Sequence, residues 1–385
     1  MKNNSALFSL GFRPFFLGAT IFAFLVMSTW VLVYLFSSQN SIFSYYSATI
    51  WHAHEMVFAY SMAVIAGFLL TAIKNWTGVQ TVNGSMLMLL VGIWVIGRIA
   101  PFVVNIPWLI ALLDILFLPV LAAFIAIPLV QVGNKRNYFM IVFVLIIGML
   151  NMLVHLDLLG VINNVANYAI NTAFYLIIAL IIVMAGRVFP MFSQNGVASR
   201  YQVQRYSLIE KLVIPSYLIF MLCLIYIRIP VVVALASLFA AVVHGIRLRG
   251  WYNPQIWQVP LVWVLHVGYL FLIIGFLLSA ISSYIPSLYF IALHAFSIGT
   301  LGVITLGMMA RVSIGHTGRN LKFPPKVVKL IFLLMIAATI VRVIIPLFDI
   351  GIYQWTIIVS GLLWSLAFIL FVWSYTKILV SPRVD

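Results

Sequence analysis

Apolar residues fill this chain in stretches of about twenty, separated by short polar breaks, almost from end to end. A helix that crosses the hydrocarbon core of a bilayer needs about 20 mostly apolar residues. The pattern predicts twelve of them, over roughly 14–36, 50–73, 84–103, 108–131, 138–158, 168–191, 210–228, 230–247, 260–282, 287–311, 327–347 and 352–377. Tight connections such as Asn105-Ile106-Pro107 and Ile229-Pro230 predict antiparallel neighbours. The breaks leave no room for a sizeable soluble domain, so residues 1–385 read as a single integral membrane domain of the all-α class: a polytopic membrane helix bundle. The first run, Pro14 to Phe36, is too long for a signal-peptide core and lacks a small-x-small cleavage site. It reads as a retained first helix.

Composition excludes the other classes. The chain is 65% hydrophobic and only 7% charged, unlike soluble globular chains of its length. The net charge of +15 tempts a nucleic-acid reading. The basic residues lie in short loops and at helix ends, where they set topology, so the partner they imply is the lipid bilayer and no nucleic acid. Lys2, Arg13, Lys74, Lys135, Arg136, Arg187, Arg200, Arg205, Lys211, Arg247, Arg249, Arg311, Arg319, Lys322, Lys326, Lys329, Lys377 and Arg383 all fall on one side, 18 of the 21. Only Arg98, Arg228 and Arg342 fall on the other. The rich side is predicted to be cytoplasmic, with both termini there. The single cysteine, Cys223, lies mid-span; it excludes an internal disulfide and thiolate-rich metal sites.

Three helices end alike. Lys74-Asn75-Trp76-Thr77-Gly78, Phe192-Ser193-Gln194-Asn195-Gly196 and Ile314-Gly315-His316-Thr317-Gly318 close the second, sixth and tenth, with glycines 118 and 122 residues apart. Twenty-four residues before each glycine stand His54, Thr172 and His294. This spacing predicts three parallel four-helix repeats, roughly 1–80 with 84–131, then 138–247, then 260–377. It also places His54 and His294 at matching depth near the outer surface.

An ionisable side chain inside a bilayer is costly and is a functional-site hypothesis by default. Helix direction sorts the histidines into two levels. His52, His54, His155 and His294 fall in the outer half with Glu55 and Asp157; His244, His266 and His316 fall in the inner half. In Trp51-His52-Ala53-His54-Glu55, His52 and Glu55 share a helix face, while His54 points about 200° away from His52. The two imidazoles therefore serve different centres, or one ligates while the other hydrogen-bonds behind it. Matched depth makes His54 and His294 candidate axial ligands of a haem. His155 completes a copper site with His52, or stands as a polar residue at the water boundary; both readings are open. His244 and His266 are joined by a short loop and can face each other, with Arg247 and Arg249 placed to hold haem propionates or simply to obey the charge rule. For His316, capping and ligation are equally open. Imidazole with carboxylate and no thiolate suits iron, copper or zinc. Arg98 is expected to pair with Glu55 or Asp157, or to bind a propionate. Asp114, inside the fourth helix, needs a partner or a cavity.

Several motifs together resemble the NnrS family. They are Gly11-Phe12-Arg13-Pro14-Phe15-Phe16, Trp51-His52-Ala53-His54-Glu55-Met56, the run Ala66-Gly67-Phe68-Leu69-Leu70-Thr71-Ala72 leading to Asn75-Trp76-Thr77-Gly78, His294-Ala295-Phe296, and Met308-Met309-Ala310-Arg311-Val312-Ser313-Ile314-Gly315-His316-Thr317-Gly318-Arg319. The resemblance covers nearly the whole chain. It implies a bacterial inner-membrane protein of twelve spans containing haem, of b type, and copper, and acting in nitric oxide metabolism or nitrosative-stress resistance. It carries over His52, His54, Glu55, His294, Arg311 and His316 as motif positions, without dividing them between haem and copper. The implied partner is nitric oxide or a related small molecule, and an oxidoreductase reactive towards it is the enzymatic form of the expectation. Two other classes compete: a secondary transporter or exporter, which would purify colourless, and a quinol-linked membrane electron carrier, which would hold haems at two depths.

Overall fold

The computed structural model describes residues 6–36, 44–197 and 202–384, so Lys2 and Arg200 lie outside the described residues. Twelve helices are long and apolar enough to cross a membrane: α1 Phe12–Phe36, α2 Ala48–Thr77, α3 Gly84–Val103, α4 Pro107–Gln131, α5 Lys135–Leu158, α6 Ala166–Gly196, α7 Ser207–Ile227, α8 Pro230–Trp251, α9 Pro260–Ser282, α10 Pro286–Gly315, α11 Val328–Leu347 and α12 Ile350–Val380. They match the predicted spans to within a few residues, and no strand occurs among the described residues. Large apolar side chains such as Leu112, Leu235, Leu362 and Trp373 are exposed on the surface. Helices that are apolar on all sides belong in lipid, where an outward leucine meets hydrocarbon.

Local chemistry explains the ends. Pro107, Pro230 and Pro260 open α4, α8 and α9, where a missing N–H is harmless. Ser47 Oγ accepts the Ile50 N–H and starts α2. Gly78 and Gly318 take the left-handed conformation just beyond α2 and α10, at φ of 70° and 77°. Gly196 differs: it stays in the last turn of α6, where a Cβ would stand 2.8 Å from Val262 Cγ2.

The chain divides into two compact units. Unit 1 comprises Met1–Phe174, Val312–Arg319 and Phe371–Asp385; unit 2 comprises Tyr175–Arg311 and Asn320–Leu370. Each unit contains one strongly enclosed helix with the same irregularity. In α2 a π-helical stretch, Glu55–Ser61, starts directly after His54; in α10 another, Ala295–Gly302, starts directly after His294. Ser61 Oγ donates to the Met56 carbonyl at 2.7 Å, and Thr300 Oγ1 to the Ala295 carbonyl at 3.4 Å, both five residues back. Such wide turns cluster at functional sites. The third position, Thr172, sits in regular helix and donates to the Tyr168 carbonyl four residues back.

The likeness extends to packing. Gly67 and Gly307 each lie 13 residues after their histidine. A Cβ on Gly67 would meet Phe16 Cε1 at 2.9 Å, and one on Gly307 would meet Val264 Cγ1 at 2.7 Å. Absence of a side chain thus lets α1 seat on α2 in unit 1 and α9 on α10 in unit 2. Gly67→Leu is expected to cost about 1–3 kcal/mol by overpacking. Thermal unfolding in detergent checks this, and an unchanged melting temperature would show that the spacing is not set there.

Candidate metal centre

Four consecutive helices place six polar side chains together in unit 1. α2 supplies His54 and Glu55, α3 Arg98, α4 Asp114, and α5 Asn151 and His155; all are buried. His54 Nδ1 lies 3.0 Å from Glu55 Oε1. Its Nε2 lies 2.8 Å from Asn151 Oδ1 and 3.3 Å from Asp114 Oδ2. Asn151 Nδ2 donates to Asp114 Oδ2 at 2.8 Å, and His155 Nε2 lies 2.8 Å from the same oxygen. Asn151 and His155, four residues apart, share the inward face of α5. Arg98 donates to Glu55 Oε2 at 2.8 Å and pairs through Nη2 with Asp114 Oδ1. Gly97 makes that reach possible: a Cβ there would sit 3.2 Å from the Asp114 Cα, so α3 and α4 approach closely beside Arg98.

The surroundings hold these groups in place and keep water out. The rings of Tyr46 and Phe58 pack against His54 at 5.2 and 5.1 Å. Tyr45, in the loop ahead of α2, places its hydroxyl 2.9 Å from His155 Nδ1. Burial pushes the Tyr45 hydroxyl up from its ordinary value, so it stays an O–H group at neutral pH.

Two counts define the chemistry. His54 in its neutral form has one N–H, yet both of its ring nitrogens face acceptors: Glu55 on one side, Asn151 and Asp114 on the other. The cluster also holds two carboxylates against one guanidinium. Both counts are met by one more positive charge at His54 Nε2, a proton or a bound cation. His54, Asp114 and His155 offer ligand atoms within 4.8 Å of one another, a spacing at which one metal ion can be held. Two imidazoles and a carboxylate suit a divalent transition metal.

The other candidates lie elsewhere. His52 stacks on Trp30 with ring centroids 4.4 Å apart and is not in this cluster. Asp157 is not there either: its Oδ2 accepts the Val165 and Ala166 N–H groups at 2.7 and 2.6 Å and caps α6. Arg98 therefore pairs with Glu55 and Asp114. His316 packs against Phe12, ring centroids 5.8 Å apart. His294 belongs to unit 2, with Nδ1 2.5 Å from the Phe290 carbonyl.

Unit 2 holds a second buried histidine network. His244 Nδ1 lies 2.7 Å from the Tyr269 hydroxyl, which accepts from Arg247 Nη1 at 3.2 Å. Arg247 also donates to both Glu210 oxygens, at 3.1 and 2.8 Å, and to the Ile182 carbonyl. Gly186 leaves room for this guanidinium; a Cβ there would collide with it. His244 is fully buried; its Nε2 reaches no partner at full hydrogen-bonding geometry, and the Val213 backbone is the polar group that acts on that side of the ring. His266 has separate partners, the Val262 carbonyl at 3.1 Å and, at 3.4 Å, the Trp251 carbonyl and Ser193 Oγ. Arg311 lies over the Phe192 ring, 3.9 Å from its centroid.

Sequence reasoning had no means of assigning Asp114 and Asn151 to the centre. The available signal was a lone carboxylate in an apolar helix and an asparagine four residues before a histidine.

The family model described as NnrS protein matches residues 6–383. No curated protein matches the chain.

Proposed function

The chain belongs to the NnrS family, and from that premise we propose that this multi-pass membrane protein binds copper and haem and acts in nitric oxide metabolism or resistance to nitrosative stress. The proposed setting is a bacterial inner membrane with both termini cytoplasmic, as the charge asymmetry supports. The observation that carries the reading is the buried His54–Asp114–His155 group with its deficit of one positive charge.

In this reading His54 Nε2, His155 Nε2 and Asp114 hold the metal. A bound copper ion would supply a Lewis-acidic, redox-active position for a small diatomic ligand. The chain's own residues do the rest. Glu55 accepts the His54 Nδ1–H and fixes that tautomer, leaving Nε2 to ligate. Tyr45 accepts the Nδ1–H of His155 in the same way. Arg98 offsets one of the two carboxylate charges of Glu55 and Asp114 and leaves one for a cation to balance, and Asn151 orients Asp114.

We place haem in unit 2 on a different observation. In this reading the ligand would be Nε2 of buried His244, in place of the ring's present interaction with the Val213 backbone, while Nδ1 stays with the Tyr269 hydroxyl. The ring of Phe276 lies beside it at 5.2 Å, in an aromatic cluster with Phe220 and Phe296. Arg247 and Arg98 are engaged by carboxylates, so neither is free for a propionate. Arg249 and Arg311 are left as candidates for that role.

An optical spectrum with metal analysis of detergent-purified protein tests both parts. Wild type is expected to show a Soret band that shifts with nitric oxide, together with copper. His244→Ala should lose the Soret band and keep copper; His54→Ala should lose copper and keep the Soret band. A colourless, metal-free protein that refuses added haem and copper would sink the proposal and favour a transporter.

A further inference from the structure

Two motifs singled out by sequence are not used by the metal centre, and the fold brings them together in unit 1. Phe12 and Arg13 open α1; His316 and Arg319 follow α10. Their meeting point is the Phe12–His316 ring contact at 5.8 Å. It lies at the start of α1, whereas Trp30, towards the far end of α1, packs on His52 beside the metal centre.

Arg13 is only 2% exposed. Its Nη1 donates to the Leu379 and Ser381 carbonyls at 2.8 and 2.5 Å, and its Nε is buried with no acceptor. Arg319 Nη1 is likewise buried with no acceptor, and its charge acts on Arg13. The segment after α12 closes over them. Val384 N–H donates to the Thr317 carbonyl at 3.0 Å, and Arg383 Cγ lies 3.2 Å from where a Cβ on Gly318 would stand. Burial, and then the Arg383 charge, lower the pKa of His316, so its ring is neutral at neutral pH.

No described carboxylate pairs with this cluster. Glu55 and Asp114 are in the metal centre, Asp157 caps α6, Glu210 holds Arg247, and Asp349 accepts the Gly351 N–H. The sixth acid, Asp385, lies outside the described residues. Three guanidinium charges beside a neutral imidazole repel a metal cation, and two buried N–H groups lack acceptors. Guanidinium N–H groups match anions that present several acceptor oxygens.

We propose that Arg13, Arg319, Arg383 and His316 form an oxyanion site of the phosphate class, separate from the metal centre. The occupant is a free phosphate-like anion or the headgroup of an anionic phospholipid; the two share the recognition chemistry.

The test titrates purified protein with inorganic phosphate at constant ionic strength, following melting temperature and calorimetric binding. Wild type is expected to be stabilised saturably. Arg319→Gln should weaken the apparent Kd by about tenfold or more, the loss of one charge-assisted contact. Exposed Lys322→Gln should leave it unchanged. Arg319→Lys, which keeps the charge without the planar fork, should fall between and guards against a misfolded glutamine variant. Repeating the titration in nanodiscs separates the sources. A response in phosphatidylcholine that phosphatidylglycerol abolishes identifies a headgroup; an equal response in both identifies a free anion. No saturable response in wild type, or an equal one in Arg319→Gln, would overturn the site. So would a response confined to Asp385→Asn, which would make the chain's own carboxylate the counter-ion.

Discussion

Replacing Arg98 with methionine is expected to lower stability by about 3–5 kcal/mol, because it removes one partner of a buried charge pair and leaves the other uncompensated. Arg98 is the cation shared by Glu55 and Asp114, and both carboxylates are almost inaccessible to solvent. The methionine would fill much of the volume, so the loss reads charge and hydrogen bonding more than a cavity. Arg249→Met is the matching control: Arg249 is exposed, and its loss should stay within about 0.5 kcal/mol. The two variants can be compared by thermal unfolding in one detergent. A second change sharpens the test. Adding Glu55→Gln to Arg98→Met removes one of the stranded charges and should recover part of the loss, since groups in one network are not additive. If Arg98→Met behaves like Arg249→Met, or if the double variant is the sum of the singles, the network is not coupled as its geometry indicates.

Asp114→Asn is expected to abolish metal binding, with affinity reduced by more than about 100-fold, beyond the usual effect of a supporting residue. Asp114 Oδ2 lies against His155, Asn151 and His54 at 2.8, 2.8 and 3.3 Å, so it holds both imidazoles to one point. Glu55→Gln should be milder, about 10–100-fold, because Glu55 acts through His54 and not on the ion. Asp157→Asn should keep the metal and cost about 0.5–2 kcal/mol as a lost helix cap. Metal content after equilibration against a competing chelator gives the order directly. An Asp114→Asn protein that keeps its metal would move the centre away from this carboxylate. Equal losses in Asp114→Asn and Asp157→Asn would mean that metal loss merely follows a damaged fold.

Part of the buried polar cluster was legible before folding was considered. His54, Glu55 and His155 stood out because an ionisable residue in an apolar helix is expensive, whatever the fold. The separation of His52 from His54 followed from helix geometry alone, and the structure directs one to Trp30 and the other inward. Partner choice did not follow. Asp157 sits two residues from His155 in sequence yet turns to the start of α6, while Asp114 arrives from another helix. Arg98 had two plausible carboxylate partners, and the close approach at Gly97 decided for Glu55 and Asp114.

The division between the two levels has a physical basis. Span number, helix ends and charge asymmetry come from local properties, namely apolar length, proline and glycine geometry, and loop charge, each complete within a few turns of chain. The sequence by itself determined those. The meeting of α2, α3, α4 and α5 around one carboxylate depends on side-chain packing between helices, which no local pattern encodes. So does the meeting of Phe12 with His316, drawn from opposite ends of the chain. Only the tertiary structure decided that two acids and two histidines share one buried point. There the cost of burying charge forces them to pair.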